Sequence, residues 1–138
     1  SQTVHLQPSR SVPFELDYNE STYKLYVVYG PHNIPNKVWV YMATASGLTP
    51  LKSIDVGHGG SNGGGGIVAN PSRNHIFVTN SAENSISVID GVTDTVAWTI
   101  YHPAVYLQDP FGIAVDYTLN MVYVVNRTGN NVVRFPDF

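Results

Sequence analysis

The distribution of apolar and polar residues is clearest in the middle of the chain. Four short apolar segments, 67–70, 75–79, 85–90 and 95–100, are separated by Asn, Asp and Gly, a pattern that predicts four strands. Asp90-Gly91, followed by Val92-Thr93-Asp94, predicts a short hairpin connection between the third and fourth strands. The second segment does not alternate as a half-exposed strand would, because Ile76, Phe77 and Val78 are apolar at successive positions. Both of its faces therefore have to be covered by other parts of the fold.

The same pattern recurs. Residues 66–80 and 112–126 align without a gap, and 15–29 form a third, weaker copy. Leu25, Ile76 and Val122 are equivalent points, 51 and 46 residues apart. This spacing is that of a four-stranded propeller blade, somewhat above the roughly 40 to 45 residues of a WD repeat. The expected organisation is an all-β propeller segment with three four-stranded antiparallel blades. Residues 1–13 supply a closing strand and linker, 14–56 the first blade, 57–65 a Gly-rich crossover, 66–101 the second blade, and 112–135 strands a to c of the third. Ile76-Phe77-Val78-Thr79-Asn80, then Asn84-Ser85-Ile86-Ser87-Val88-Ile89-Asp90-Gly91, resemble the repeat unit of the Tyr-Val-Thr-Asn (YVTN) propellers. The likeness is close over 66–135 and loose over 14–56, where the loop after strand b is longer and no Asn follows that strand. It implies architecture and an extracellular, periplasmic or cell-surface location more than it implies an activity.

Strand c of the third unit, 132–135, is followed only by Pro136-Asp137-Phe138, whereas Thr3-Val4-His5-Leu6-Gln7 is strand-like and has no blade of its own. The expectation is one blade split between the termini. Propellers close with typically 4 to 8 blades, so three blades call for a complement. The expected complement is a second copy, giving a homodimer with a six-bladed ring in which Thr3 to Gln7 pairs with 132–135 of the other chain. The alternative is another propeller chain or a longer propeller.

Composition narrows the partners. The net charge is −3, from 7 basic and 10 acidic residues without a Lys/Arg cluster, which argues against nucleic acid. No apolar run approaches the roughly 20 residues of a membrane-spanning helix. Cysteine is absent, which removes disulfides, thiolate nucleophiles and Cys-based zinc sites. No Gly-x-Ser-x-Gly elbow is present.

The propeller topology puts the d–a and b–c loops on one face, which makes His32, His58, Asn62, Glu83, His102, Asp109 and Arg127 the ligand-face candidates. His58 and Asp109 are the candidates for a divalent metal, since each is a competent ligand on a d–a crossover. Otherwise no cofactor is expected. The glycines of 57–66 read as a flexible crossover, because the only phosphate-binding pattern in them is degenerate and a strand, not a helix, follows. Asn19 and Asn126 open Asn-x-Ser/Thr triplets and are glycosylation candidates. Trp39, Trp98, Tyr26, Phe77 and Tyr123 are expected to pack between blades. The leading functional expectation is a non-enzymatic binding or scaffold module with a protein or glycan ligand. A lyase or lactonase with a loop-face metal and a carbohydrate-binding lectin are the alternatives.

Overall fold

The structure is a computed structural model that describes residues 1–5, 12–30, 35–59 and 65–137. It contains three antiparallel sheets in chain order. The first holds β1 (Val12–Asn19), β2 (Lys24–Gly30), β3 (Lys37–Thr44) and β4 (Gly47–Asp55), and the second β5 (Ile67–Asn70), β6 (His75–Asn80), β7 (Ser85–Asp90) and β8 (Thr95–Tyr101). The third has three strands, β9 (Pro110–Asp116), β10 (Met121–Asn126) and β11 (Asn131–Pro136). Each sheet is a simple meander, so spatial order follows chain order. The one helical element among the described residues is a single 3-10 turn, Ser81–Glu83.

Local chemistry fixes the turns. After the first strand of each sheet an Asx side chain accepts from the backbone two residues on, Asn19 from Ser21, Asn70 from Ser72 and Asp116 from Thr118. Each of these turns then passes through a left-handed residue at the same repeat position: Tyr23 (φ 59), Asn74 (φ 55) and Asn120 (φ 52). Asn tolerates this conformation better than most side chains.

The sheets pack face to face, and the successive apolar residues of β6 show why. Ile76 and Val78 point into a core shared with Tyr26, Val28, Val38 and Val40 of the first sheet. Phe77 points the other way, into a second core with Val122, Val124 and Phe135 of the third sheet, where its ring meets that of Phe135 edge-on at 6.2 Å. The middle sheet is thus covered on both faces, as the sequence required. Thr3 to His5, which the sequence marked as part of a closing strand, form no ladder here, and Leu6 and Gln7 lie outside the described residues. The side chain of Gln2 instead clasps the backbone of Leu48 on β4, donating to its carbonyl at 3.2 Å and accepting from its N–H at 2.7 Å.

Polar devices join neighbouring sheets at their rims, and the same two occur at both junctions. One is an amide contact between a–b turns: Asn19 donates to Asn74 at 2.7 Å, and Asn70 to Asn120 at 2.9 Å. The other is a carboxylate from the c–d connection of one sheet, received at the start of strand b of the sheet before it. Asp94 takes Lys24 at 2.7 Å and the Tyr26 hydroxyl at 2.8 Å. Asp137 takes His75 at 2.7 Å and the Asn70 amide at 2.7 Å.

Burial, and then the hydrogen bond to the Asp94 carboxylate and its charge, push the Tyr26 phenol well above the ordinary tyrosine range. A raised folded value means that this contribution to stability is complete below the unfolded value, about 10, and is lost as pH rises beyond it. Tyr26→Phe should therefore cost about 1 kcal/mol at neutral pH through the lost hydrogen bond. Above about pH 10 the variant's stability should fall less steeply than that of the parent chain, so that the gap closes. Urea unfolding at a series of pH values measures both effects.

Candidate functional site

Two asparagines organise the loop face. Asn80 and Asn126 end the second strand of their sheets at equivalent repeat positions, and both are buried. Asn80 accepts from the Gly57 N–H at 3.0 Å and donates to the hydroxyls of Ser85 and Ser87 at 3.0 and 2.9 Å. Asn126 accepts from the Gln108 N–H at 3.0 Å and donates to the Tyr106 carbonyl and the Asn131 side chain, each at 2.9 Å. Each therefore ties the crossover entering its sheet to the start of the third strand of that sheet.

Around these anchors the charged candidates pair within each sheet rather than across the face. The His58 N–H donates to Glu83 at 3.1 Å, and its Nε2 lies 3.9 Å from the same carboxylate. Arg127 holds Asp109 through Nε at 3.0 Å and a second guanidinium nitrogen at 2.9 Å, and its guanidinium stacks 4.2 Å from the centre of the Phe111 ring. The Asp109 N–H donates to the Asn84 side chain at 2.7 Å. His102 accepts from the Leu107 N–H at 3.3 Å, with its ring edge-on to Tyr106 at 5.5 Å. His58 and Asp109 thus occupy equivalent positions on two different crossovers, each held by its own partner. Among the described residues no three His, Asp or Glu side chains gather at a distance suited to a metal. His32 and Asn62 lie outside the described residues.

The described glycines of the crossover are committed to the fold. Gly57 N–H is held by Asn80, and Gly66 N–H donates to the Thr79 hydroxyl at 2.7 Å. The Thr79 hydroxyl in turn donates a hydrogen bond to the Phe111 carbonyl at 2.8 Å, joining the second and third sheets. A Cβ on Gly66 would stand 2.4 Å from that same carbonyl oxygen, so close approach explains this glycine. Gly65 and Gly66 also line a cleft of about 750 Å³ walled by the first strands of all three sheets, from Pro13 to Val115.

The two glycosylation candidates serve as internal anchors. Asn19 and Asn126 are buried, with their amide nitrogens already donating inside the fold. Of the aromatic residues expected between blades, Tyr26 and Phe77 are buried there. Trp98 is 40% exposed, edge-on to His75 at 5.1 Å, and it lines an apolar cleft of about 300 Å³ with Ile100 and Phe135 beside β11. The third sheet has no fourth strand among the described residues to cover it. Spacing alone did not mark Asn80 and Asn126 as interior groups, although their recurrence at one repeat position was visible.

No protein-family model matches this chain, and no curated protein matches it. Its likeness is to solved structures. A chain of the Kuenenia stuttgartiensis hydrazine synthase aligns with a TM-score of 0.68 at 12% identity, over 93% of this chain and 46% of that one. A chain of the nidogen/laminin complex aligns with a TM-score of 0.63 at 18% identity, over 94% and 45%. Apo AztD from Citrobacter koseri gives 0.61 at 16%, over 88% and 30%. At these identities the likeness shows the β-propeller fold alone, and the chain spans less than half the length of each.

The environments of the two anchoring asparagines make them respond differently to Asn→Asp. Asn80 donates only to serine hydroxyls, which can turn and donate to a carboxylate instead, whereas Asn126 donates to a carbonyl, which cannot. Asn126→Asp should therefore be the more damaging change, by roughly 1–3 kcal/mol. Chemical denaturation of the two variants checks the order.

Proposed function

We propose that the chain is a binding module, three blades of a YVTN-like propeller ring acting outside the cytoplasm, with the loop face as the surface that meets a protein or glycan. The observation that carries this reading is the state of the polar residues on that face. Arg127 is locked by the two hydrogen bonds it donates to Asp109 and by the Phe111 ring, and the Glu83 carboxylate is held by the backbone N–H of His58. Side chains held in this way present a fixed surface and lose little freedom when a ligand docks, which favours affinity. Arg and Tyr are also the residue types most often found at the energetic centres of interfaces. Here Arg127 follows Asn126, whose amide holds the carbonyl of Tyr106, itself exposed beside His102.

The YVTN likeness supports the location, since that repeat is found in surface-layer and other exported proteins. The proposal is compatible with one structural neighbour being a chain of a protein–protein assembly, a nidogen/laminin complex.

A binding screen against immobilised glycans and extracellular matrix proteins, with and without EDTA, tests the proposal. Saturable binding insensitive to EDTA, and weakened about tenfold or more by Tyr106→Ala or Arg127→Ala, is the expected result, on the scale of a single interface hot spot. A chelator-sensitive turnover of lactone or polysaccharide substrates, with stoichiometric metal in protein purified without chelator, would replace the binding module by an enzyme.

A further inference from the structure

The crossover between the second and third sheets, residues 102–109, is fastened at both ends and in the middle. At its ends the His102 N–H donates to the Asn84 carbonyl at 3.2 Å and the Asp109 N–H to the Asn84 side chain at 2.7 Å. In the middle Asn126 holds the Tyr106 carbonyl and the Gln108 N–H, and the Leu107 side chain is fully buried in the core between the two sheets. A surface loop tied down in this way presents the side chains it leaves outside in a fixed arrangement, which lowers the cost of binding. Two of them are His102 and Tyr106, whose ring centres lie 5.5 Å apart with their planes at 69°. Both are exposed, Tyr106 to 44%.

The hydrogen bond from the Leu107 N–H to the His102 ring, 3.3 Å long, decides what that ring can offer. A backbone N–H only donates, so Nδ1 is the acceptor, and an imidazole that accepts at Nδ1 carries its hydrogen on Nε2. No described residue takes up that Nε2–H or the Tyr106 hydroxyl. The exposed pair therefore combines an aromatic ring, a neutral donor held by the loop, and a phenol. The charges next along the face, Asp109 and Arg127, neutralise each other. This set matches a ligand with an apolar face for the ring and hydroxyls for the two polar groups, which describes a pyranose. An anionic ligand fits less well. A carboxylate or phosphate favours the doubly protonated imidazole, whose Nδ1–H would confront the Leu107 N–H and leave that backbone donor without an acceptor.

We propose that His102 and Tyr106 form a subsite for one neutral pyranose unit of a glycan, stacked on the Tyr106 ring with a hydroxyl accepting from the Nε2–H of His102. This rests on the binding-module reading above and names the ligand class that its loop face takes. Leu107 is the positioning residue. Its N–H selects the tautomer of His102, and its buried side chain holds the loop against the core.

The test is an NMR titration of the isotopically labelled chain at about pH 8, above the range in which histidine ordinarily takes up its proton. The probes are the methyl glycosides of glucose, galactose, mannose and N-acetylglucosamine, with those of glucuronic acid and N-acetylneuraminic acid as the acidic pair. The ring nitrogens of His102 should report the Nε2–H tautomer. Its resonances and those of Tyr106 should move together and saturably with at least one neutral glycoside, at an affinity of about 1 mM for a ligand so small, and with neither acid. Tyr106→Ala and His102→Phe should each weaken binding about tenfold or more. Tyr106→Phe keeps the ring, and His102→Gln offers both an acceptor for Leu107 and a donor for the sugar, so each should stay within about threefold of the parent chain. The core rings of Phe77 and Phe135 report whether a variant keeps its fold. An Nδ1–H tautomer, no response to any of the four neutral glycosides, or a preference for the acids would overturn the subsite. Binding of a matrix protein that Tyr106→Ala abolishes, with no glycoside bound, would overturn the subsite and leave the binding module standing. Turnover of a glycoside that EDTA stops would replace the binding module by an enzyme and leave the subsite.

Discussion

A strand that is apolar on both sides can be stable only between two other layers, and the rest of this structure follows from that constraint. Ile76 and Val78 bury themselves against the first sheet and Phe77 against the third, so the middle sheet cannot exist without neighbours. Burying each such side chain stabilises by roughly 1.5 to 3 kcal/mol, more than a neutral hydrogen bond at the rim and comparable to one made to a carboxylate there. The polar contacts act on register and direction. An Asn–Asn contact and a carboxylate received by a base recur at both junctions, so one sheet meets the next at a repeated rotation.

That division of labour positions the loop face. Because the sheets hold one another, the crossovers have only to be fastened at their ends. Asn80 and Asn126 do this by joining the incoming backbone to the start of the third strand, and Thr79 fastens Gly66 to Phe111 between sheets. The polar side chains then engage locally. The result is a face of preformed contacts, Glu83 with the backbone of His58 and Asp109 with Arg127, suited to recognition by a fixed surface.

The repeat is also informative where it fails. Copies of one unit that make the same contact keep the same residues. Lys24 and His75 are bases, while Met121 is not; Ile67 and Ile86 are covered, while Leu16 and Val132 are not. Such departures fall at the two ends of the row of sheets, where Leu16 and Val132 have no neighbouring sheet among the described residues.

The all-β class, the strand boundaries of the middle sheet and the three units were legible in the sequence because each is local. Apolar runs cut by Asn, Asp and Gly specify strands and turns, and gapless equivalence of 66–80 with 112–126 specifies repetition. What the face does with its residues was not legible, because convergence depends on which side chains a rigid sheet brings within about 3 Å, the range of a hydrogen bond. Sequence put His58 and Asp109 forward only as candidates on one face; tertiary structure sets Glu83 against the backbone of the first and Arg127 against the second. Sequence left Asn19 and Asn126 as glycosylation candidates or ordinary turn residues; the fold buries both, with their amides donating to Asn74 and to the Tyr106 carbonyl. Apolar pattern is a property of the chain and survives in any arrangement, whereas pairing is a property of distances that exist only once the sheets have packed.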